Sequence, residues 1–300
     1  MHLRIPSGLR NILRIYLSSS KHAILTIYKT KSGAFGFTVI LMFIAMATFG
    51  PLLVPLDTKA DISKRYLPPS LSHPLGTDYA GRDVLSQVIW GSRDVMAVGL
   101  LAGIITVSIG VIVGIVSGFK GGILDTVLCT VMDIMLTIPG LPLMIVLAVY
   151  IRAVNPLHTA LILSITPWAS LARAIRSQVL SMKEREFIEA AKVLGLSTFH
   201  IMFREILPNL MPYVAVNFMF AVIGAIYASV GLYMLGVLPF TALNWGVMLN
   251  LAAHAAGALF SLESLHYLLA PIIFLALLQS GFVLFSRAVD EVFNPRLREY

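Results

Sequence analysis

Long apolar runs separated by short polar intervals order this chain from residue 34 onward. Residues 34–54 hold no charge and are long enough to cross a bilayer core, which takes roughly 20 residues. Residues 57–94 then turn polar and proline-rich, too polar to enter lipid. A second apolar run covers residues 95–119 and ends in a short turn at Lys120, Gly121 and Gly122. A third starts at Asp125, passes Asp133 and the breaker Ile138-Pro139-Gly140-Leu141-Pro142, and reaches Tyr150. A fourth, residues 153–172, contains an Asn155-Pro156 turn near its start and runs through Trp168 into Arg173 and Arg176. From Ile206 to Leu262 no Asp, Glu, Lys or Arg occurs, which is too long for one span and too short for two with an ordinary loop. It divides into a fifth span at 209–238 and a re-entrant or interfacial segment on the outer side at 239–267, and a sixth span follows at 268–285. The pattern predicts an all-α integral membrane protein with six transmembrane helices.

Finer features qualify single spans. Gly99, Gly103, Gly110, Gly114 and Gly118 set small residues along the second span, a face that lets helix backbones approach closely in lipid. An acid and a double proline inside the third span point to a helix facing protein or a water-filled path, so Asp133 and Pro139 are candidates for a substrate path. For Asp125 a capping or pairing role at the interface is the expectation, whereas Asp133 is open between the two.

Composition agrees with the pattern, since mean hydropathy is +0.86, 58% of residues are hydrophobic and only 12% are charged. The net charge of +7 comes from basic residues that flank apolar runs, so it reads as membrane orientation and no nucleic-acid partner is expected. With the N-terminus inside, the inner segments collect most of the Lys and Arg, which puts both termini and residues 183–208 in the cytosol. Residues 1–33 read as a basic cytosolic arm suited to anionic headgroups, without the short apolar core and cleavage site of a signal peptide. Cys129 is the single cysteine, so there is no disulfide framework.

Catalytic chemistry has no constellation here. The chain lacks GxxxxGK[ST], HExxH, CxxC and GxSxG patterns, and its histidines are dispersed; His254 reads as a hydrogen-bonded structural residue. His73 and Asp78 could be taken as metal ligands, but Pro74 and Gly76 between them indicate a tight turn and no metal is expected. The chain is therefore expected to bind no cofactor itself.

The most polar interval of the second half, residues 189–208, reads EAAKVLGLSTFHIMFREILP. Phe187, Ala190, Ala191 and Leu194 recur at helical spacing, Gly195 supplies a left-handed helix end, Ser197 can cap the next helix, and Phe199, Met202, Phe203 and Ile206 repeat the spacing. Two short amphipathic helices joined at a break would make a compact knob. Glu189-Ala190-Ala191, Gly195 and Ile206-Leu207-Pro208 together resemble the cytosolic signature of the permease subunits of binding-protein-dependent ABC importers. The resemblance implies a type I importer permease fold in which Glu189, Ala190, Ala191, Gly195, Ile206, Leu207 and Pro208 form the coupling-helix loop that docks on an ATPase subunit. It also implies ATP and Mg on two partner ATP-binding cassette subunits, a second homologous permease chain, an extracytoplasmic substrate-binding protein, and a place in the inner membrane of a prokaryote.

A second resemblance narrows the class. His73-Pro74-Leu75-Gly76-Thr77-Asp78 and Gly81-Arg82-Asp83-Val84-Leu85 resemble the dipeptide, oligopeptide and nickel subclass, in the second permease chain of the pair. Asn244-Trp245-Gly246 resembles the subclass's Trp-Gly turn, making Trp245 a further candidate for the substrate path. Tyr227-Ala228 stands where the subclass usually has a Glu-Ala pair, and Leu232-Tyr233-Met234-Leu235-Gly236 where it has Ser-Phe-Leu-Gly. The expected segments are a cytosolic arm at 1–33, a first transmembrane helix at 34–56, an extracytoplasmic loop at 57–94, a permease core at 95–290 with its coupling loop at 183–208, and a cytosolic tail at 291–300. The cargo so implied is peptides, with oligosaccharides or nickel complexes carried in related lineages. A stand-alone secondary transporter of small polar solutes is the alternative, with the broken third span and its acids as ion sites. It leaves the coupling stretch unexplained. An intramembrane enzyme or assembly factor is the third class, and it lacks catalytic groups.

Overall fold

A computed structural model describes residues 30–56, 58–151, 155–240, 243–255 and 262–293. The arm at 1–29 and the end of the tail lie outside the described residues. Helices in chain order are α1 (Lys31–Leu53), α2 (Val84–Lys120), α3 (Gly122–Thr137), α4 (Gly140–Ile151), α5 (Pro156–Ser164), α6 (Trp168–Met182), α7 (Glu186–Val193), α8 (Thr198–Met234), α9 (Trp245–His254) and α10 (Leu265–Phe293). No strand occurs among the described residues; their polar connections are turns, a short 3₁₀ helix at Ile62–Lys64 and one isolated bridge between Thr77 and Asp83.

Helix α2 is the axis of the bundle. At about 1.5 Å per residue it is roughly 55 Å long, and it begins at Val84 rather than at residue 95, inside the stretch that polarity alone assigns to the outer loop. Its early start has two causes. The Asp83 carboxylate accepts a hydrogen bond from the Ser86 backbone N–H at 2.7 Å and caps the helix. The buried polar side chains Gln87 and Asp94 of its first turns are also partnered: Gln87 donates to Asp78, and Asp94 accepts from Asn244 at 2.6 Å.

The small-residue face of α2 divides between two neighbours. Cβ atoms at Gly99 and Gly103 would collide with Ile226 and Val222 of α8, while those at Gly110, Gly114 and Gly118 would meet Leu171, Ile175 and Val179 of α6. The expected close packing is therefore present, with the N-terminal half of the helix seated on α8 and the C-terminal half on α6. A similar approach crosses α1 over α10, where Gly36 faces the Gly281 carbonyl and the Phe285 backbone. Phe43 of α1, Trp245 of α9 and Phe274 of α10 fill the core between these elements with edge-on ring contacts.

Four described helices, α1, α2, α8 and α10, are each long and apolar enough to cross a bilayer, and α3 with α4 makes a fifth if that pair, bent by 87°, is one span. The bend falls at Ile138-Pro139, where the sequence expected a breaker. The fourth expected span is not one helix. It is split into α5 and α6 at residues 165–167, because Pro167 has no N–H to continue the ladder and α6 is amphipathic and carries Arg173 and Arg176. The uncharged stretch after α8 contains the short helix α9, packed against α8, α10 and α2 with Trp245, Met248 and Ala252 buried.

The stretch between α1 and α2 forms a tight polar knot. Asp78 is fully buried and accepts from the Ala80 and Arg82 backbone N–H groups, from the Arg82 guanidinium at 2.8 Å and from Gln87 at 2.9 Å. Burial works against the Arg82 charge, but the hydrogen bond and charge of Asp78 outweigh it and raise its pKa above the ordinary value. His73 turns instead to Asp83 at 3.1 Å, so the histidine and the first aspartate of the motif serve different partners. Gly76, at φ +74°, lies under His266, whose ring nitrogen pairs with the Thr77 carbonyl at 2.8 Å and ties the knot to the start of α10.

Candidate functional site

Residues 186–208 leave the bundle and return to it. After α6 ends, Arg185 adopts an extended conformation and α7 starts with Glu186 and Glu189 in its first turn and Lys192 in its last, signs that suit the helix dipole. Gly195, at φ +72°, ends it; the Leu196 and Gly195 N–H groups bond back to the Ala191 and Lys192 carbonyls at 3.1 and 3.0 Å. The Ser197 hydroxyl then accepts from the His200 N–H at 3.2 Å and opens the next helix. Break and cap are those the sequence predicts.

The second half of the knob differs from expectation. It is not a short helix but the first turns of α8, which runs without interruption from Thr198 to Met234. The passage is made by a π-helical stretch, Ile201–Ile206, in which the Leu207 N–H reaches the Met202 carbonyl. Pro208, one residue on, has no N–H and would crowd the Arg204 carbonyl in a regular α-helix; the wider π turn accommodates its ring without a break.

The apolar faces inferred from periodicity are each divided in two. Ile188 and Ala191 of α7 and Ile201, Met202 and Ile206 of α8 are buried against α2 and α6, in one cluster with Ile115, Ile175 and Val179. Phe187, Val193, Leu194 and Phe199 point outward, with Leu194 77% and Phe199 69% exposed. The Phe199 ring stacks on Phe203 with centroids 4.7 Å apart. Glu189, Ala190, Gly195 and Pro208 also lie on the exposed side, and Leu207 is half-buried. A small contiguous segment thus has one apolar face fixed in the bundle and another open, flanked by Lys192, Arg185 and Glu189. Open apolar surface rimmed by charge marks a site for a partner protein.

Two ion pairs brace α3 on α6. Arg176 makes a two-pronged contact with Asp125, both bonds at 2.6 Å, and Ser117 and Cys129 donate to the same carboxylate. Arg173 pairs with Asp133. The expected pairing role holds for Asp125. Asp133, left open by the sequence, has a paired carboxylate that is also exposed, as is Pro139 at the bend. Trp245 belongs elsewhere. Its indole is fully buried, donates to the Val88 carbonyl at 2.9 Å and packs against Gly91, so this substrate-path candidate is placed in the core of the chain because α9 folds inward on α2. Asn244 caps α9, accepting from the Gly246 N–H at 2.7 Å. Where the subclass pattern has an acid, the Tyr227 hydroxyl donates to Gln279 and links α8 to α10. His254 hydrogen-bonds the Asn250 carbonyl at 3.0 Å.

Sequence reasoning missed Phe187, Val193, Leu194 and Phe199 as an outward group. The available signal was an apolar arc wider than one buried face needs.

The chain is similar in sequence to known proteins. Residues 110–299 match the family described as binding-protein-dependent transport system inner membrane component. The chain is 33% identical over 296 residues to the dipeptide transport system permease protein DppC of Bacillus subtilis, covering 96% of this chain and 89% of that protein. It is 31% identical over 290 residues to the oligopeptide transport system permease protein OppC of the same organism, covering 94% and 92%. To the probable D,D-dipeptide transport system permease protein DdpC of Escherichia coli it is 33% identical over 263 residues, covering 86% and 85%. With several apolar helices, no catalytic constellation and these matches along nearly its whole length, the chain is a multi-pass membrane protein that belongs to the inner-membrane components of binding-protein-dependent transport systems.

Proposed function

We propose that this chain is one of two homologous permease subunits of an ATP-driven importer that translocates di- or oligopeptides delivered by an extracytoplasmic binding protein. Two ATP-binding cassette subunits would carry ATP and Mg. In this reading the chain crosses the membrane six times, with α5 and α6 together forming one crossing and both termini in the cytosol. The names of its relatives favour peptides over oligosaccharides or nickel complexes.

The continuity of the exposed segment with α8 carries the proposal. A partner that grips Leu194 and Phe199 holds one end of a helix that extends to Met234. Closure of the ATPase pair on ATP would displace α7 and the start of α8, and the displacement would pass along α8 to α2, on which Gly99 and Gly103 seat it. Rigid elements packed on small residues shift as bodies between discrete arrangements, which suits alternation between inward-open and outward-open states. Glu189, Ala190, Ala191, Gly195, Ile206, Leu207 and Pro208 then have separate duties: Ala191, Ile206 and the half-buried Leu207 anchor the segment, Gly195 and Pro208 set its path, and Glu189 and Ala190 face the ATPase. A secondary transporter has no use for such a surface.

The test is a Leu194→Ser, Phe199→Ser double variant, whose exposed positions leave the bundle intact. Copurification with the ATPase subunits should fall at least about tenfold, the scale of losing an interface anchor, while membrane insertion and pairing with the second permease persist. Undiminished ATPase association and peptide uptake would overturn the proposal.

A further inference from the structure

Arg93 lies within helix α2, not in the outer loop to which polarity assigns it. It sits one helical turn beyond Trp90, whose indole donates to the carbonyl of Val54 at 2.9 Å, just past the end of α1. Trp90 therefore marks the level at which α1 leaves the apolar layer, and Arg93 is just inside that level. Its side chain is exposed, and no carboxylate among the described residues pairs with it. The adjacent Asp94, which lines a second cavity with Arg93, is bonded to Asn244 and makes no ion pair with it.

Below Arg93, toward the bilayer centre, runs a groove of about 450 Å³ between α1 and α2. Its α1 wall extends from Ile44 to Leu52 and its α2 wall from Met96 to Leu100, and among the described residues Arg93 is the only charged one lining it. The α1 wall is about 12 Å long at 1.5 Å per residue, the reach of a long segment of one acyl chain. Thr48, also lining the groove, has its hydroxyl bonded to the Ile44 carbonyl at 2.8 Å, which leaves the wall apolar.

A guanidinium at this depth needs an anionic or aqueous partner, and its planar fork matches a phosphodiester. We propose that the α1–α2 groove is a binding site for an anionic phospholipid of the leaflet that the C-terminal end of α1 faces. The phosphate is held by Arg93 and an acyl chain lies between Ile44 and Leu100. A bound lipid of this kind fills the seam between α1 and the rest of the bundle.

The complex, purified in mild detergent and exchanged into nanodiscs of phosphatidylglycerol and phosphatidylcholine, provides the test. Photoreactive phosphatidylglycerol should crosslink to peptides spanning residues 44–52 and 93–100 of the unaltered chain, and photoreactive phosphatidylcholine should do so at least about fivefold less. That factor corresponds to about 1 kcal/mol per basic residue at an anionic surface. Arg93→Gln should abolish the preference between the two lipids, and Arg93→Lys should keep part of it. Ala97→Phe, which fills the groove, should reduce capture of both. Equal capture of the two lipids by the unaltered chain would overturn the proposal, as would a preference that survives Arg93→Gln, or, with a photoreactive amino acid placed at Ala97, crosslinks that reach a protein chain in place of lipid. The measurements on the unaltered chain stand even where a variant fails to fold.

Discussion

A methyl group on Gly114 would sit 2.6 Å from the carbonyl oxygen of Ala172, and a backbone oxygen cannot turn aside as a side chain can. On Gly110 the nearest atoms are side-chain carbons of Leu171 at 3.0 Å, a smaller overlap and not with backbone. Gly114→Ala should therefore separate α2 from α6 and cost about 1–3 kcal/mol, the usual penalty of overpacking. Gly110→Ala should cost less, and Ile112→Ala, at a position 51% exposed, should be close to neutral in the folded chain. Thermal unfolding of the purified chain in detergent would rank the three. Equal Tm for Gly114→Ala and the parent would mean that the helices do not touch there. Asp78 has an analogous role outside the bundle. Asp78→Ala strips Arg82 and Gln87 of their shared partner and should destabilise the chain by about 3 kcal/mol or more. Loss of the folded knot between α1 and α2 is measurable as faster proteolysis between Asp61 and Asp83. At this scale the tight turn at Gly76 and the small-residue face were legible, since both follow from local backbone needs. That Arg173 would find Asp133 and that Asn244 would find Asp94 was not, because each pair joins positions far apart in the chain and only the packed bundle selects them.

Among the elements, α7 and the first turns of α8 illustrate what periodicity can and cannot decide. Spacing identifies the apolar positions, but a helix that meets its own bundle on one side and a partner on the other is apolar on both. Phe187 and Leu194 were thus grouped with Ala191, although the structure buries only Ala191 of the three. The break itself was legible because Gly195 is the residue that a left-handed helix end demands, and it is found at φ +72°. A Cβ at that position meets nothing within 4 Å, so any penalty for substitution comes from the backbone alone. Gly195→Asn, which tolerates the left-handed region, should preserve coupling, whereas Gly195→Val should add strain of roughly 1–2 kcal/mol and redirect α8 relative to α7. Peptide uptake and ATP hydrolysis stimulated by loaded binding protein, measured side by side, distinguish them. Equal behaviour of the two variants would show that the direction of the segment does not matter. The continuity of α8 through Pro208 was not legible, since a proline after a polar stretch reads as a boundary, and only the π turn before it removes the conflict.

For the whole molecule, apolar runs account for α1, α2, α8 and α10, whose length and hydropathy suffice by themselves. The remaining expected crossings are harder to read, because α3 and α4 bend by 87° and α5 and α6 part at Pro167, so neither pair is one straight apolar helix. Broken helices are tolerated at membrane depth where their freed backbone groups are buried in protein or line a wet cavity. If each pair makes one crossing, the chain has an even number of crossings and its ends lie on one side, the cytosolic side by the distribution of Lys and Arg. Ser70, exposed in the loop between α1 and α2, and Ser181, exposed near the end of α6, should then face opposite compartments. The measurement begins with Cys129→Ser, a small change that leaves a hydroxyl in hydrogen-bonding reach of Asp125. In that background Ser70→Cys should react with a membrane-impermeant maleimide in intact cells stripped of any outer membrane, and Ser181→Cys only after permeabilisation. Labelling of both from outside would mean that one of the broken pairs does not cross, and the exposed face at Leu194 and Phe199 would then lie away from the compartment that holds ATP. The reverse pattern would invert the molecule and remove the coupling surface from the cytosol altogether.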